Sequence, residues 1–144
     1  MYDNFFKIFI IFALHLVIFS FLNRASAQNY DQDSLRNLLK SIKAEKRFEV
    51  AYRLFVLNAN HEDYRIPYQY AEESYKAAEK LNDSLKIVKA GKALGYAFSK
   101  GGDLNKSIEL YEIMLGIAKR NGYVDQVKII LNNMALGYTY QANY

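Results

Sequence analysis

The word Leu94-Gly95-Tyr96-Ala97-Phe98 returns as Leu136-Gly137-Tyr138-Thr139-Tyr140, 42 residues later. Self-similarity at a period of roughly 20–50 residues constrains a chain more than any single motif, because each copy is a unit that cannot bury its apolar face alone. The match extends beyond the word. Leu85, Ile87, Val88, Gly91, Leu94, Gly95 and Phe98 correspond at that spacing to Val127, Ile129, Ile130, Asn133, Leu136, Gly137 and Tyr140. A second pair of segments repeats at 40. After Asp103, apolar or small residues stand at Leu104, Ile108, Tyr111, Leu115 and Ala118. Their steps of four and three draw one face of a helix. Forty residues earlier stand Asp63, then Tyr64, Tyr68, Ala71, Tyr75 and Ala78. Both aspartates are placed to cap a helix by accepting from free first-turn amides. Pro67 falls where a missing N–H does least harm, and Gly101-Gly102 can take the positive φ that ends the preceding helix. Phe48, Ala51 and Leu54 stand 40 residues ahead of Val88, Gly91 and Leu94, so a first copy begins near residue 47.

The pattern predicts an all-α chain of αα-hairpins, with helices near 33–42, 47–59, 63–81, 84–100, 103–120 and 125–143. The first of these, amphipathic through Leu35, Leu38, Leu39 and Ile42, reads as an N-terminal capping helix within residues 28–46 that covers the open side of the first repeat.

Ala93-Leu94-Gly95-Tyr96-Ala97-Phe98 and Ala135-Leu136-Gly137-Tyr138-Thr139-Tyr140 resemble the Leu-Gly-x-x-Tyr core of helix A in tetratricopeptide (TPR) repeats. Ala71-x-x-x-Tyr75 and Ser107-x-x-x-Tyr111 resemble its helix B element, the second pair alone in the consensus register. The resemblance is to the long-repeat variety. It covers residues 47–144 as about two and a half repeats, the last incomplete. It is weakest in the first helix, where Phe55 occupies the glycine position and Asn58 the aromatic one. It implies an αα-hairpin solenoid whose A helices line a concave wall. The wall positions carried over from Gly95 are Lys89, Lys92, Tyr96, Ser99 and Lys100; those from Gly137 are Leu131, Met134, Tyr138, Gln141 and Ala142. The resemblance thus implies a peptide-binding groove of Lys89, Lys92, Tyr96, Lys100, Met134 and Tyr138. Three ammonium groups on one wall favour a protein or peptide with an acidic segment or a C-terminal carboxylate. The competing account is a solvated helix face on which lysine is simply favoured. Tyr64, Tyr68, Tyr75 and Tyr111 belong to the buried stripe, whereas Tyr96 and Tyr138 point away from helix B.

Residues 8–22 are apolar apart from His15 and Ser20, and Ala25-Ser26-Ala27 has the small-x-small form of a cleavage site. Fifteen helical residues span about 22 Å, short of a ~30 Å hydrocarbon core. Residues 1–27 therefore read as a signal peptide, and the protein as exported, periplasmic or extracytoplasmic. The remaining chain holds 17 basic and 14 acidic residues, too balanced and interspersed to argue for nucleic acid. With no cysteine, a disulfide framework and a thiolate zinc site are both excluded.

No catalytic, cofactor or metal constellation emerges. His61 sits in the turn Asn60-His61-Glu62-Asp63 with no nucleophile in view. Gly102 through Ser107 has the lysine and serine of a phosphate loop, but Asn105 stands where glycine must be. The expectation is a non-enzymatic interaction module. Nothing follows the second LGY word that could cover Ile130, Leu136 and Tyr140. The simplest expectation is the front piece of a longer chain, such as the sensory region of a membrane-bound signalling protein ending in a histidine kinase or helix-turn-helix regulator. The alternative is self-association through the open repeat.

Overall fold

The computed structural model describes residues 33, 34 and 36–142. The expected signal peptide, the rest of the chain to residue 32 and the Tyr140 side chain lie outside the described residues. The chain divides into two compact units, residues 1–37 and 38–144. In the first, the described residues are helical and Arg36 pairs with Asp33 at 2.9 Å. In the second, helix continues to residue 41, and five helices follow: α1 (Ala44–Asn58), α2 (Arg65–Leu81), α3 (Ser84–Lys100), α4 (Leu104–Arg120) and α5 (Val124–Ala142). No strand occurs among the described residues.

The helix starts follow local chemistry. Asp83 accepts from the amides of Leu85 and Lys86, both at 3.0 Å, and Asp103 accepts from Lys106 at 3.2 Å. Each satisfies amides that the first turn leaves free. Asp63 behaves differently from its expected twin. It lies in the turn before α2, accepting from the Arg65 amide at 3.1 Å and gripping the Arg65 guanidinium at 2.7 and 2.8 Å. That ion pair occupies the carboxylate, so α2 begins at Arg65 rather than 63. At the end of α3, Gly102 takes the left-handed conformation (φ 85°) while Gly101 stays right-handed. Gly101 is small for another reason: the Tyr64 ring lies over it, and a Cβ there would come within 2.7 Å of Tyr64 Cε2. Tyr64 is 42% exposed rather than buried, whereas Tyr111 is buried as expected.

Each helix packs on the next in sequence, and α3 also touches α1 and α5. Alanine makes the α2–α3 contact: Ala71, Ala77 and Ala78 meet Ala90, Ala93 and Ala97, all buried. Small side chains let helix axes approach closely. Between α3 and α4 the same closeness comes from glycine. A Cβ at Gly91 would run into Met114 Sδ, and one at Gly95 would lie 2.7 Å from Tyr111 Cε1. Val88, Ile108, Tyr111, Met114, Ala118, Ile130 and Met134 join α3, α4 and α5 in one core cluster.

The last helix departs from its expected pose. Ile130 is fully buried, not uncovered; Leu136 is 52% exposed. α5 buries the side carrying Ile130, Met134 and Gly137, with Val127 half-buried beside them. α3 instead turns Ala90, Ala93, Leu94 and Ala97 into the core, and the corresponding Asn132, Ala135, Leu136 and Thr139 of α5 are all exposed. The reason is polarity. Two of these four positions, Ala90 and Ala97, have become Asn132 and Thr139, which would need partners if buried, while Val127, Ile130 and Met134 form an apolar stripe at helical spacing.

A candidate binding recess lined by alternate helices

The residues that face a common recess come from every second helix. Tyr52 and Phe55 of α1, with Ala59 just beyond it, meet Lys92, Ala93 and Tyr96 of α3 and Asn133 of α5 around an open space of about 220 Å³. Three of the seven lining residues are aromatic. Phe48 stacks on Tyr52 at 5.5 Å between ring centroids, Tyr52 leans on Phe55 at 6.1 Å, and Phe55 meets Tyr96 edge-on at 6.2 Å. This line of rings crosses from α1 to α3 in geometries favoured by their quadrupoles. It also holds α1 and α3 side by side, although the two are separated in sequence by α2. The Tyr96 hydroxyl donates to Asn60 Oδ1 at 3.3 Å, tying the α3 face to the end of α1.

Lys92 supplies the one charged group of the lining. Its Nζ donates to Gln126 Oε1 at 2.8 Å. Burial pulls the Lys92 ammonium below the usual lysine range, and the nearby Lys89 ammonium adds to the shift. Both effects penalise the charged form. At the α5 side, Asn133 donates through Nδ2 to the Tyr111 hydroxyl at 3.4 Å. Burial pushes Tyr111 up to about 12, against hydrogen bonds with Ser107 and Asn133 that pull it down.

Of the six expected groove residues, the structure brings Lys92 and Tyr96 into the recess. Lys89 lies one turn earlier on α3, half-buried and outside the lining. Lys100 is exposed, with Nζ 3.5 Å from the carbonyl oxygens of both Ala59 and His61, where it caps the end of α1. Met134 is in the core beside Val88, Tyr111 and Ile130 rather than on a groove wall, because α5 turns that side inward. Tyr138 is 47% exposed and does not line the recess. Tyr52, Phe55, Ala59, Asn133 and the Gln126 partner are the residues that sequence reasoning missed. The signal for three of them was present: Tyr52 and Ala59 stand 40 residues before Lys92 and Ser99, and Phe55 before Gly95.

Elsewhere the ionisable groups do structural work. His61 is exposed and accepts at Nδ1 from the Asp63 amide at 3.1 Å. Its neighbour Asp63 is held down to about 2, chiefly by hydrogen bonds from Arg65. Among the described residues, no three His, Asp or Glu side chains stand close enough to share a metal ion, and no helix is long and apolar enough to cross a membrane. Comparison with known proteins adds no relative: no family model matches the chain, and neither a curated protein nor a solved structure is significantly similar to it.

Proposed function

We propose that this chain is a protein-interaction module, an exported TPR-type solenoid that takes a protein or peptide with an acidic segment along the face shared by α1, α3 and α5. One observation carries the reading. The recess drawn from these alternate helices holds a half-buried ammonium, Lys92, whose hydrogen-bond partner is a neutral amide and which no carboxylate neutralises among the described residues. A ligand carboxylate placed there would restore the favourable surroundings that burial removed from Lys92, and Lys89 would add long-range attraction. The rings of Tyr52, Phe55 and Tyr96 offer apolar surface to the ligand residue beside the carboxylate. The N-terminal leader pattern supports the exported part of the reading.

Fluorescence anisotropy tests it, with a labelled Asp/Glu-rich peptide, a labelled Lys/Arg-rich peptide of the same length, and two proteins: the wild type and the double variant Lys89→Glu/Lys92→Glu. The acidic peptide should bind the wild type alone, and its affinity should fall at least about tenfold in the variant, equivalent to ~1.4 kcal/mol. Thermal unfolding of the variant controls for loss of fold. Equal binding of the two peptides, or an unchanged affinity in a folded double variant, sinks the proposal.

A further inference from the structure

Lys92 has a second chemistry open to it. Lys76, Lys86 and Lys106 are paired with carboxylates, those of Glu72, of Glu49 and Asp83, and of Asp103. Lys100 donates to main-chain carbonyls. Lys92 differs from all of these in its surroundings. Its amine is held by the neutral Gln126 side chain, the charge of Lys89 acts on it, and the residue borders a recess walled by Tyr52, Phe55 and Tyr96. A carboxylate partner would hold an amine in its protonated form, whereas burial and a second ammonium release the proton. The unprotonated amine carries the lone pair that attacks carbon. The recess that Lys92 helps to line is open and offers aromatic faces to an apolar molecule.

We propose that Lys92 is a carbonyl-reactive amine that takes a small apolar aldehyde into the aromatic recess as an imine. The Lys92 ammonium first gives one proton to solvent. Its nitrogen then adds to the carbonyl carbon, the carbonyl oxygen is protonated, and it leaves as water as the carbon–nitrogen double bond forms. One amine and one aldehyde give one imine and one water, with no oxidant or reductant. Tyr52, Phe55 and Tyr96 flank the aldehyde substituent and favour an aromatic or aliphatic group over a polar one. The inference is independent of the peptide reading, since it needs the amine and its walls but no acidic partner.

The test uses the whole protein at neutral pH with benzaldehyde, and cyanoborohydride to fix the imine as a benzylamine. Labelling is held below one adduct per chain, and peptide mapping by mass spectrometry locates it. Lys92 should acquire the benzyl group several-fold faster than Lys40, Lys89 or Lys128, and the preference should vanish in urea. Labelling spread evenly over the lysines, or a Lys92 preference that survives unfolding, overturns the proposal. If Lys92 is labelled selectively while the acidic peptide fails to bind, only the peptide reading falls. If the peptide binds and labelling is even, only this inference does.

Discussion

Leu94 in α3 is 8% exposed, and Leu136, which stands in the same word in α5, is 52% exposed. Gly95 lies under the Tyr111 ring, whereas at Gly137 a Cβ would meet nothing nearer than Ile108 Cγ1 at 3.6 Å. The two helices carry matching words, but α3 is packed by α2 on one side and α4 on the other, while α5 follows α4 and touches α3 only lightly. Where each helix packs on the next in sequence, a residue gains its energy from the neighbouring helix, so one word can be core in one helix and surface in another. Polar substitution then adapts the freer copy: Ala90 and Ala97 become Asn132 and Thr139.

The sharpest way to break this comparison is to truncate both leucines. Leu94→Ala should cost about 2–5 kcal/mol, as buried leucine truncations do. Leu136→Ala should cost about 0.5 kcal/mol or less, as surface changes do. Urea unfolding of the two variants, at constant slope, reads both. Equal losses would mean that α5 is buried against something in solution.

Tyr111 joins the two helices, with its ring against Gly95 and its hydroxyl accepting from Asn133. Its folded-state value is about 12, against 10.0 as the ordinary value. The folded protein therefore keeps a proton that the unfolded chain loses first. Stability from this residue is fully present below pH 10 and is lost as the pH rises from about 10 to 12, by about 2–3 kcal/mol at ~1.4 kcal/mol per unit. Tyr111→Phe should flatten that alkaline loss. A variant with the wild-type pH profile would show that the hydroxyl is not buried between α3 and α5.

The glycines give a difference of sign. Gly95→Ala should destabilise by about 1–3 kcal/mol, since the new methyl must displace the Tyr111 ring in a close-packed contact. Gly137→Ala meets ordinary van der Waals distances and should stabilise by up to about 1 kcal/mol through helix propensity. Thermal melts of both variants decide the matter, and a loss at Gly137 would mean that α5 sits closer to α4 than described.

Periodicity made the helices legible because a 3.6-residue stripe and an aspartate cap act locally: α3 runs over 84–100 as read, and α4 starts one residue late. The boundary at α2 was missed because Arg65 captures the Asp63 carboxylate, a pairing that no repeat predicts. Lys92 and Tyr96 stand four residues apart and so share one face of α3, and both line the recess. Met134 and Tyr138 were misplaced because repeat spacing names a position on a helix and not the direction in which the helix is turned. That direction goes with Asn132 and Thr139 in place of Ala90 and Ala97, and with Met134 in place of Lys92. Tyr52 and Ala59 were overlooked because the wall positions were carried over from Gly95 and Gly137 alone, and the first copy has Phe55 where that glycine stands.

The position occupied by Lys92 in α3 is held by Met134 in α5, 42 residues later, and this pair yields the smallest effect. Met134 is buried in the core, while Lys92 is half-buried and its ammonium lies below the usual lysine range through desolvation and then the charge of Lys89. The unfolded chain therefore binds the Lys92 proton more tightly than the folded protein does. Folding carries a penalty that is full below the folded-state value and disappears as the pH rises towards 10.5, the ordinary value. Lys92→Met should remove the penalty, stabilising the protein at neutral pH by less than about 1 kcal/mol after solvent screening. The gain should shrink to the packing contribution alone near the alkaline end. The difference between variant and wild-type urea midpoints from about pH 6 to 10 isolates this effect, because the Tyr111 contribution is common to both proteins and cancels. A difference that does not change with pH would mean that Lys92 is solvated in the folded state, and the recess would then lack the half-buried charge on which the proposed binding role rests.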